Sequence, residues 1–227
     1  DGGGDDLAHE PGLPGQDSPA ALARDLAERA AELTACRRDI GAQLSGEIER
    51  ELQELGMSKA RFHIEVTSEE KYTSNGADSL RMLFSANIGE AEKPLEKIAS
   101  GGELSRIALA IKTIVAARDT SGASMVFDEI DTGVSGKIAQ KMAFIMQEMG
   151  DNNRQVISIT HLPQIAALGS SHYKVEKEET TEGTRSHMRE LTQEQRVNEI
   201  AQMLSGADVS DAALQNAREL LDLSKKK

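Results

Sequence analysis

Cysteine is nearly missing from this sequence: Cys36 is the only one in 227 residues, which excludes an intrachain disulfide and a cysteine-based metal cluster and suits a reducing compartment. Cys36 itself reads as a small residue on a helix. Long apolar runs are lacking as well. No stretch approaches the roughly 18 consecutive apolar residues of a membrane span, and no secretory hydrophobic region opens the chain, so the sequence reads as a soluble protein. Clustered basic residues are scarce: the formal net charge is −12, and Lys225, Lys226 and Lys227 form the one basic run, read as a solvated tail. Phosphate backbones are gripped by clustered Lys and Arg, so this balance argues against strong non-specific nucleic-acid binding by the segment itself and moves any such contact elsewhere or to an assembly. An initiator Met is absent too. Together with the opening run from Asp1 to Asp6, this makes the chain an expected piece of a longer protein.

What is present supports one ordinary core with an appendage. Residues 1–17 are rich in Gly and Pro, a composition that buries too little to offset its ordering entropy, and read as a linker. Ser18 followed by Pro19 is a helix start, a capping hydroxyl ahead of a residue tolerated in the first turn. Apolar residues then recur at Leu22, Leu26, Ala30, Leu33, Ile40, Leu44, Ile48, Leu52 and Leu55, and Gly56 offers a stop. At 1.5 Å per residue such a helix runs about 55 Å, more than a domain this size normally buries. Residues 18–56 therefore read as a coiled-coil arm whose partner lies upstream or in another molecule. Arg37, Gly41 and Gly46 interrupt the stripe, and a kinked surface helix is the alternative.

Residues 57–224 read as an α/β lobe, with 225–227 as its basic tail. From Ala60 the period changes to two through Arg61, Phe62, His63, Ile64, Glu65 and Val66, and again from Leu80 to Ala86, with Asn75 and Gly76 in the turn between. Helices and short apolar runs then alternate to about Tyr173, the pattern of an α/β sheet. Lys174 to Arg189 suggests a hairpin with a polar tip. Thr192 and Gln195 have the spacing of a capping box, and helices near 196–204 and 211–223 close the lobe. No internal repeat is visible.

Three segments carry the chemistry. Ser100-Gly101-Gly102-Glu103-Leu104-Ser105-Arg106 precedes an apolar-faced helix. Ser100 and Glu103 alone could be a plain capping box. The two glycines, however, let backbone approach an anion while the helix N-terminus aims free N–H groups and partial positive charge at it, as a phosphate-binding end does. Next, Ala123 to Phe127 suits a strand buried on both faces and ends in Asp128 and Glu129. At the carboxyl end of a parallel strand, one carboxylate can hold Mg²⁺ through its water shell and the next can orient a nucleophilic water; capping of the following helix is the bland alternative. A third strand, Gln155 to Thr160, delivers His161 to the same sheet edge, and Pro163 starts a short helix.

In that order the three pieces resemble the ATP-binding cassette superfamily: signature motif, Walker B strand and histidine switch. The fuller strings KIASGGELSR at 97–106, FDEIDTGVSG at 127–136 and THLPQIAA at 160–167, with LGMSKARFHIEV at 55–66 and ARELL at 217–221, resemble the RecN family of SMC-like DNA-repair ATPases over residues 30–222. That resemblance implies the α/β C-terminal lobe of an ABC-type ATPase head, a P-loop NTPase-like sheet with flanking helices, behind a coiled-coil stub. It implies that Ser100, Gly101, Gly102 and Glu103 contact ATP held by an opposing head, that Asp128 belongs to the Mg²⁺ shell, that Glu129 is the catalytic base, and that His161 senses the γ-phosphate. Ser135 falls in the place of the D-loop, within 133–136. The implied partners are DNA, a second copy and RecA, and the implied place is the cytoplasm, at the nucleoid.

No phosphate loop G-x-x-x-x-G-K-[ST] is present. Before the one Gly-Lys pair, Gly136-Lys137, Asp131 stands where the first glycine should be, and Ile138 follows where the hydroxyl should be. The Lys and backbone nest for the β- and γ-phosphates are therefore expected from a missing N-terminal lobe, and the chain alone is expected to be inactive. A nucleotide-binding subunit of a membrane transporter is the alternative. The long helix ahead of the signature, Glu103 where transporter signatures commonly carry Gln, and the TGVSG string favour the repair ATPase. A third reading, a degenerate scaffold without turnover, is disfavoured by the intact acids and His161.

Overall fold

The computed structural model of the chain describes residues 18–98, 100–151, 154–180, 183–206 and 208–224. The expected linker 1–17 and basic tail 225–227 lie outside the described residues. Helix α1 spans Pro19–Glu54; the Ser18 hydroxyl accepts from the Ala21 amide at 3.2 Å, with Pro19 in the first turn. Its stop is Gly56, at φ +82, where a Cβ would also stand 2.7 Å from Ile138 Cδ1. The left-handed backbone favours glycine there.

Strands β1 (Arg61–Thr73), β2 (Gly76–Ser85) and β3 (Lys93–Pro94) form an antiparallel sheet in that order, with Phe62 opposite Phe84. Helix α2 (Gly101–Arg118) follows, then β4 (Met125–Asp128), α3 (Gly136–Asp151), β5 (Val156–Ile159) and α4 (Pro163–Leu168). β4 and β5 pair in parallel. Antiparallel β6 (Tyr173–Thr180) and β7 (Gly183–Glu190) make a hairpin, and α5 (Gln193–Ser205) and α6 (Asp211–Leu223) close the chain. One buried cluster runs from Leu52, Leu55 and Phe62 through Ile107, Leu109, Phe127 and Met142 to Ile200, Ala217 and Leu221. Each such Leu, Ile or Phe contributes roughly 1.5–3 kcal/mol by burial, so the helices and the β1–β2 sheet share one core.

The apolar stripe expected on α1 divides in two. Leu22, Leu26, Leu33 and Ile40 are exposed, whereas Ala30, Thr34, Gly41, Ser45, Ile48 and Leu52 are buried. The buried face is made of small and polar residues because it serves the edge of a strand. Ser45 Oγ accepts the Ile64 amide at 3.0 Å and Glu49 Oε1 accepts the Phe62 amide at 3.0 Å, while a Cβ on Gly41 would touch Ile64 Cγ2 at 3.5 Å. Side chains of α1 thus satisfy edge donors of β1 that would otherwise stay open. Farther along, Arg37 Nη1 and Thr34 Oγ1 donate to the buried Asp78 carboxylate at 3.0 and 2.7 Å, holding that carboxyl below its usual range, chiefly through the Thr34 bond.

β4 differs from the strand buried on both faces expected from its sequence. Phe127 is buried, but Val126 is 61% exposed, and its neighbours Ile157 and Ile159 are 44% and 51% exposed. Pleating puts Val126, Asp128, Ile157 and Ile159 on one face and Phe127 with Ser158 on the other. Only the Phe127 side meets the core among the described residues. Arg154 anchors the opposite, N-terminal end of this ladder. Its guanidinium donates to Asp119 Oδ2 at 3.0 Å and to the carbonyls of Ala116, Asp119 and Ala123 at 3.0, 2.8 and 3.3 Å, joining the end of α2 to the approaches of β4 and β5. The Ser121 amide, then the Arg154 guanidinium, hold the Asp119 carboxyl down to about 2.

Candidate nucleotide site at the carboxyl edge of the parallel strands

Ser100 is the N-cap of α2, with extended backbone and its hydroxyl accepting from the Glu103 amide at 3.4 Å. Only this half of the capping box forms among the described residues. The first intrahelical bond runs from the Leu104 amide to the Ser100 carbonyl at 3.1 Å, so the amides of Gly101 and Gly102 precede the ladder. Gly102 is buried, and a Cβ there would stand 3.2 Å from the carbonyl oxygens of both Thr132 and Gly133. The signature segment therefore packs backbone to backbone on the loop after β4, and no other residue type permits that approach without displacement.

Asp128 ends β4 opposite Ile159 of β5, and both it and Glu129 are exposed. The Glu129 amide still continues the parallel ladder, donating to the Ile159 carbonyl at 3.0 Å. Its φ is +48, the only positive φ at a non-glycine among the described residues. A left-handed glutamate costs roughly 1–2 kcal/mol. Such strain persists where surrounding structure fixes it, commonly at functional sites. Here the fixing contacts are visible: Thr132 donates its amide and its hydroxyl to the Glu129 carbonyl at 3.2 and 2.9 Å, and Ile130 and Val134 are buried on either side of the turn. Ser135 is exposed just ahead of α3.

His161 follows β5 at the same edge, with its side chain 65% exposed and Nδ1 3.7 Å from Oδ1 of the buried Asp131. The helix it leads into is held from behind, where the buried Arg196 guanidinium caps the carbonyls of Gly169 at 2.6 Å, Ser170 at 3.2 Å and Ala167 at 3.3 Å. The signature helix N-terminus thus lies beside the loop 129–136 at Gly102, and that loop lies beside His161 at Asp131. Three features gave no sequence signal strong enough to single them out. They are the left-handed Glu129, the Arg154 anchor, and Asp131, which reads in the sequence only as the residue that spoils a phosphate loop.

Among the described residues no three His, Cys, Asp or Glu side chains gather as a metal cage. A single exposed carboxylate at a strand end fits Mg²⁺, which is usually held by one or two carboxylates together with substrate phosphates.

No protein-family profile matches the chain. Among curated proteins, the DNA repair protein RecN of Halalkalibacterium halodurans is 39% identical over 204 residues, 88% of this chain and 36% of that protein. This chain belongs to the RecN family. RecN of Deinococcus radiodurans is 43% identical over 201 residues, 88% of this chain and 35% of that protein, and RecN of Haemophilus influenzae is 37% identical over 195 residues, 86% of this chain and 35% of that protein. The chain therefore spans about a third of the length of the RecN proteins it matches. Among solved structures, an Smc head domain with an extended coiled coil, bound to the C-terminal domain of ScpA and derived from Pyrococcus furiosus, superposes with a TM-score of 0.54 at 17% identity over 82% of this chain and 44% of that one. A chain from work on ATP-driven dimerization and DNA-stimulated activation of SMC ATPases gives 0.52 at 17% identity, covering 77% of this chain and 99% of that one. At such identities the likeness shows the fold, that of an SMC-type ATPase head. RecN relatives and SMC-head neighbours do not favour the transporter alternative.

Proposed function

We propose that the chain is the C-terminal lobe of the ATPase head of a RecN-type DNA-repair protein and contributes half of a composite ATP site formed between two heads. The observation that carries this reading is the strained Glu129 at the carboxyl end of β4, at the start of a loop that packs on the Gly102 helix terminus through Thr132 and Gly133 and lies beside His161 through Asp131. In this reading the Gly101 and Gly102 amides and the Ser100 hydroxyl bind the γ-phosphate of ATP seated on the opposing head, with Glu103 beside them. The Asp128 carboxylate takes a place in the Mg²⁺ shell, Glu129 accepts a proton from the attacking water, His161 meets the γ-phosphate, and Ser135 lies at the head-to-head contact. Bound Mg²⁺ supplies charge neutralisation on the phosphates.

The open face of β4 and β5 supports an N-terminal lobe with a phosphate loop as its cover. Val126, Ile157 and Ile159 would be buried by it, and Asp128, on the same face, would point toward the phosphates that lobe holds. The exposed stripe of Leu22, Leu26, Leu33 and Ile40 supports a coiled-coil partner for residues 18–56, with 57–224 as the head lobe. DNA is a partner of the assembled protein rather than of this acidic segment, in the cytoplasm at the nucleoid; RecA enters on the family resemblance alone. Calorimetry with ATP and Mg²⁺ tests the composite site: the isolated chain should show no tight binding, and micromolar binding at a stoichiometry of one would overturn the proposal.

A further inference from the structure

Asp131 is fully buried, and its two carboxylate oxygens stand in different situations. Oδ2 accepts from the Thr160 hydroxyl, whose oxygen in turn accepts the Leu162 amide at 2.9 Å. Oδ1 is buried and accepts no hydrogen bond. His161 Nδ1 stands 3.7 Å from it, on a ring that is otherwise mostly in solvent. A desolvated carboxylate oxygen without a donor is costly. If Asp131 served only to hold the turn through Thr160, a neutral acceptor would suffice. The unused oxygen therefore needs its own explanation, and the imidazole beside it provides one.

We propose that Asp131 is a positioning residue for the nucleotide site: its Oδ1 accepts the Nδ1–H of His161 and thereby fixes the ring with Nε2 facing the carboxyl edge where the phosphates bind. The inference rests on the reading that His161 meets the γ-phosphate. Closing the bond needs a shift of about 0.7 Å, from 3.7 Å to ordinary hydrogen-bond length, within reach of an exposed ring at the start of a short helix. Site hydrogen bonds are commonly long before ligand binds and tighten afterwards. With Nδ1–H on the carboxylate, Oδ1 gains the donor it lacks, and Nε2 is left facing outward toward a phosphate oxygen. The peptide stretch from Glu129 to Asp131 also ties the two roles mechanically, since the turn that strains Glu129 buries Asp131 beneath His161.

Two measurements test this. In ¹⁵N-histidine spectra of the 227-residue chain, which has five histidines, the His161 signals are assigned by their loss in His161→Gln. At about pH 8, where a free imidazole is neutral, the inference predicts the proton on Nδ1; a ring protonated on Nε2 with a bare Nδ1 overturns it, and needs no variant at Asp131. The second measurement is turnover in the complete head. Asp131→Asn keeps an oxygen for Thr160 but turns an amide N–H₂ toward the ring, so kcat should fall on the order of 10–100-fold, with KM for ATP changed by less than about threefold. Combining it with His161→Ala should cost no more than His161→Ala alone. If His161→Ala turns over near the unaltered rate, the reading of His161 itself fails. If His161→Ala is slow but Asp131→Asn leaves both kcat and the Nδ1 signal unchanged, only the present inference fails.

Discussion

Replacing Gly102 with Ala probes the contact that joins the signature helix to the loop after β4. The added Cβ would stand 3.2 Å from the carbonyl oxygens of Thr132 and Gly133 and 3.4 Å from the Gly133 carbonyl carbon, all of them backbone atoms that cannot rotate aside. Either the loop or the first turn of α2 must retreat by a few tenths of an ångström. Overpacking of this kind costs about 1–3 kcal/mol, against which Ala recovers at most about 1 kcal/mol of helix propensity, and less in a first turn. The net is a loss of about 1 kcal/mol, a melting-temperature drop of about 3 °C for a chain of this size. Gly101→Ala is the internal control. Its Cβ would meet only Thr132 Cγ2, at 4.0 Å, so stability should stay level or rise by up to about 0.5 kcal/mol. Paired thermal and urea unfolding of the two variants reads the difference. If Gly102→Ala proves as stable as Gly101→Ala, the two segments do not pack as described, and the convergence of signature and Walker B loop loses its physical basis.

Glu129→Gly should stabilise the isolated chain by about 0.5–1 kcal/mol, because the strain of a left-handed glutamate exceeds the extra chain entropy of glycine, and should abolish turnover in the complete head; a stability loss would contradict the strain argument. In the complete head, Glu129→Gln should cut hydrolysis on the order of 10²–10⁴-fold while preserving ATP binding, whereas Asp128→Asn should weaken Mg²⁺-dependent ATP binding as well; single-turnover rates and nucleotide affinities separate them. The Asp119 carboxyl is held down to about 2 by the Ser121 amide and Arg154. A depressed carboxyl stabilises the fold above its unfolded value and loses that contribution as pH falls toward 2, so Asp119→Asn should flatten the acid limb of stability between about pH 4 and 2; an unchanged limb in acid titration would refute the assignment.

Much of this was legible from local chemistry. The Ser18-Pro19 start, the Gly56 stop, the Thr192–Gln195 capping box and the hairpin after Tyr173 are short-range devices, and each is where its residues predict. The places of the motifs were legible too, Ser100 at a helix cap and Asp128 at a strand end, whereas their roles rest on the resemblance of the three strings together. What sequence could not show depends on long-range contacts. The inner face of α1 is lined by Thr34, Gly41 and Ser45 because it meets the edge of β1, and apolar periodicity cannot register a face whose task is close approach and hydrogen bonding. β4 reads as buried on both sides because its residues are apolar, yet its second face is open among the described residues, the face that the proposed N-terminal lobe would cover. Asp131 was invisible as a site residue since its meaning comes from Thr160 and His161, about 30 residues away.

The central claim is that this lobe acts on ATP held by another head, and a mixing experiment tests it most directly. Two complete heads are prepared, one carrying Ser100→Arg and the other lacking the phosphate-loop lysine of its N-terminal lobe, and ATP hydrolysis is measured for each alone and for their mixture. A composite site predicts that each is inactive and that the mixture regains activity, because one of its two interfaces pairs an intact phosphate loop with an intact signature. A mixture that stays as inactive as its components would contradict the account.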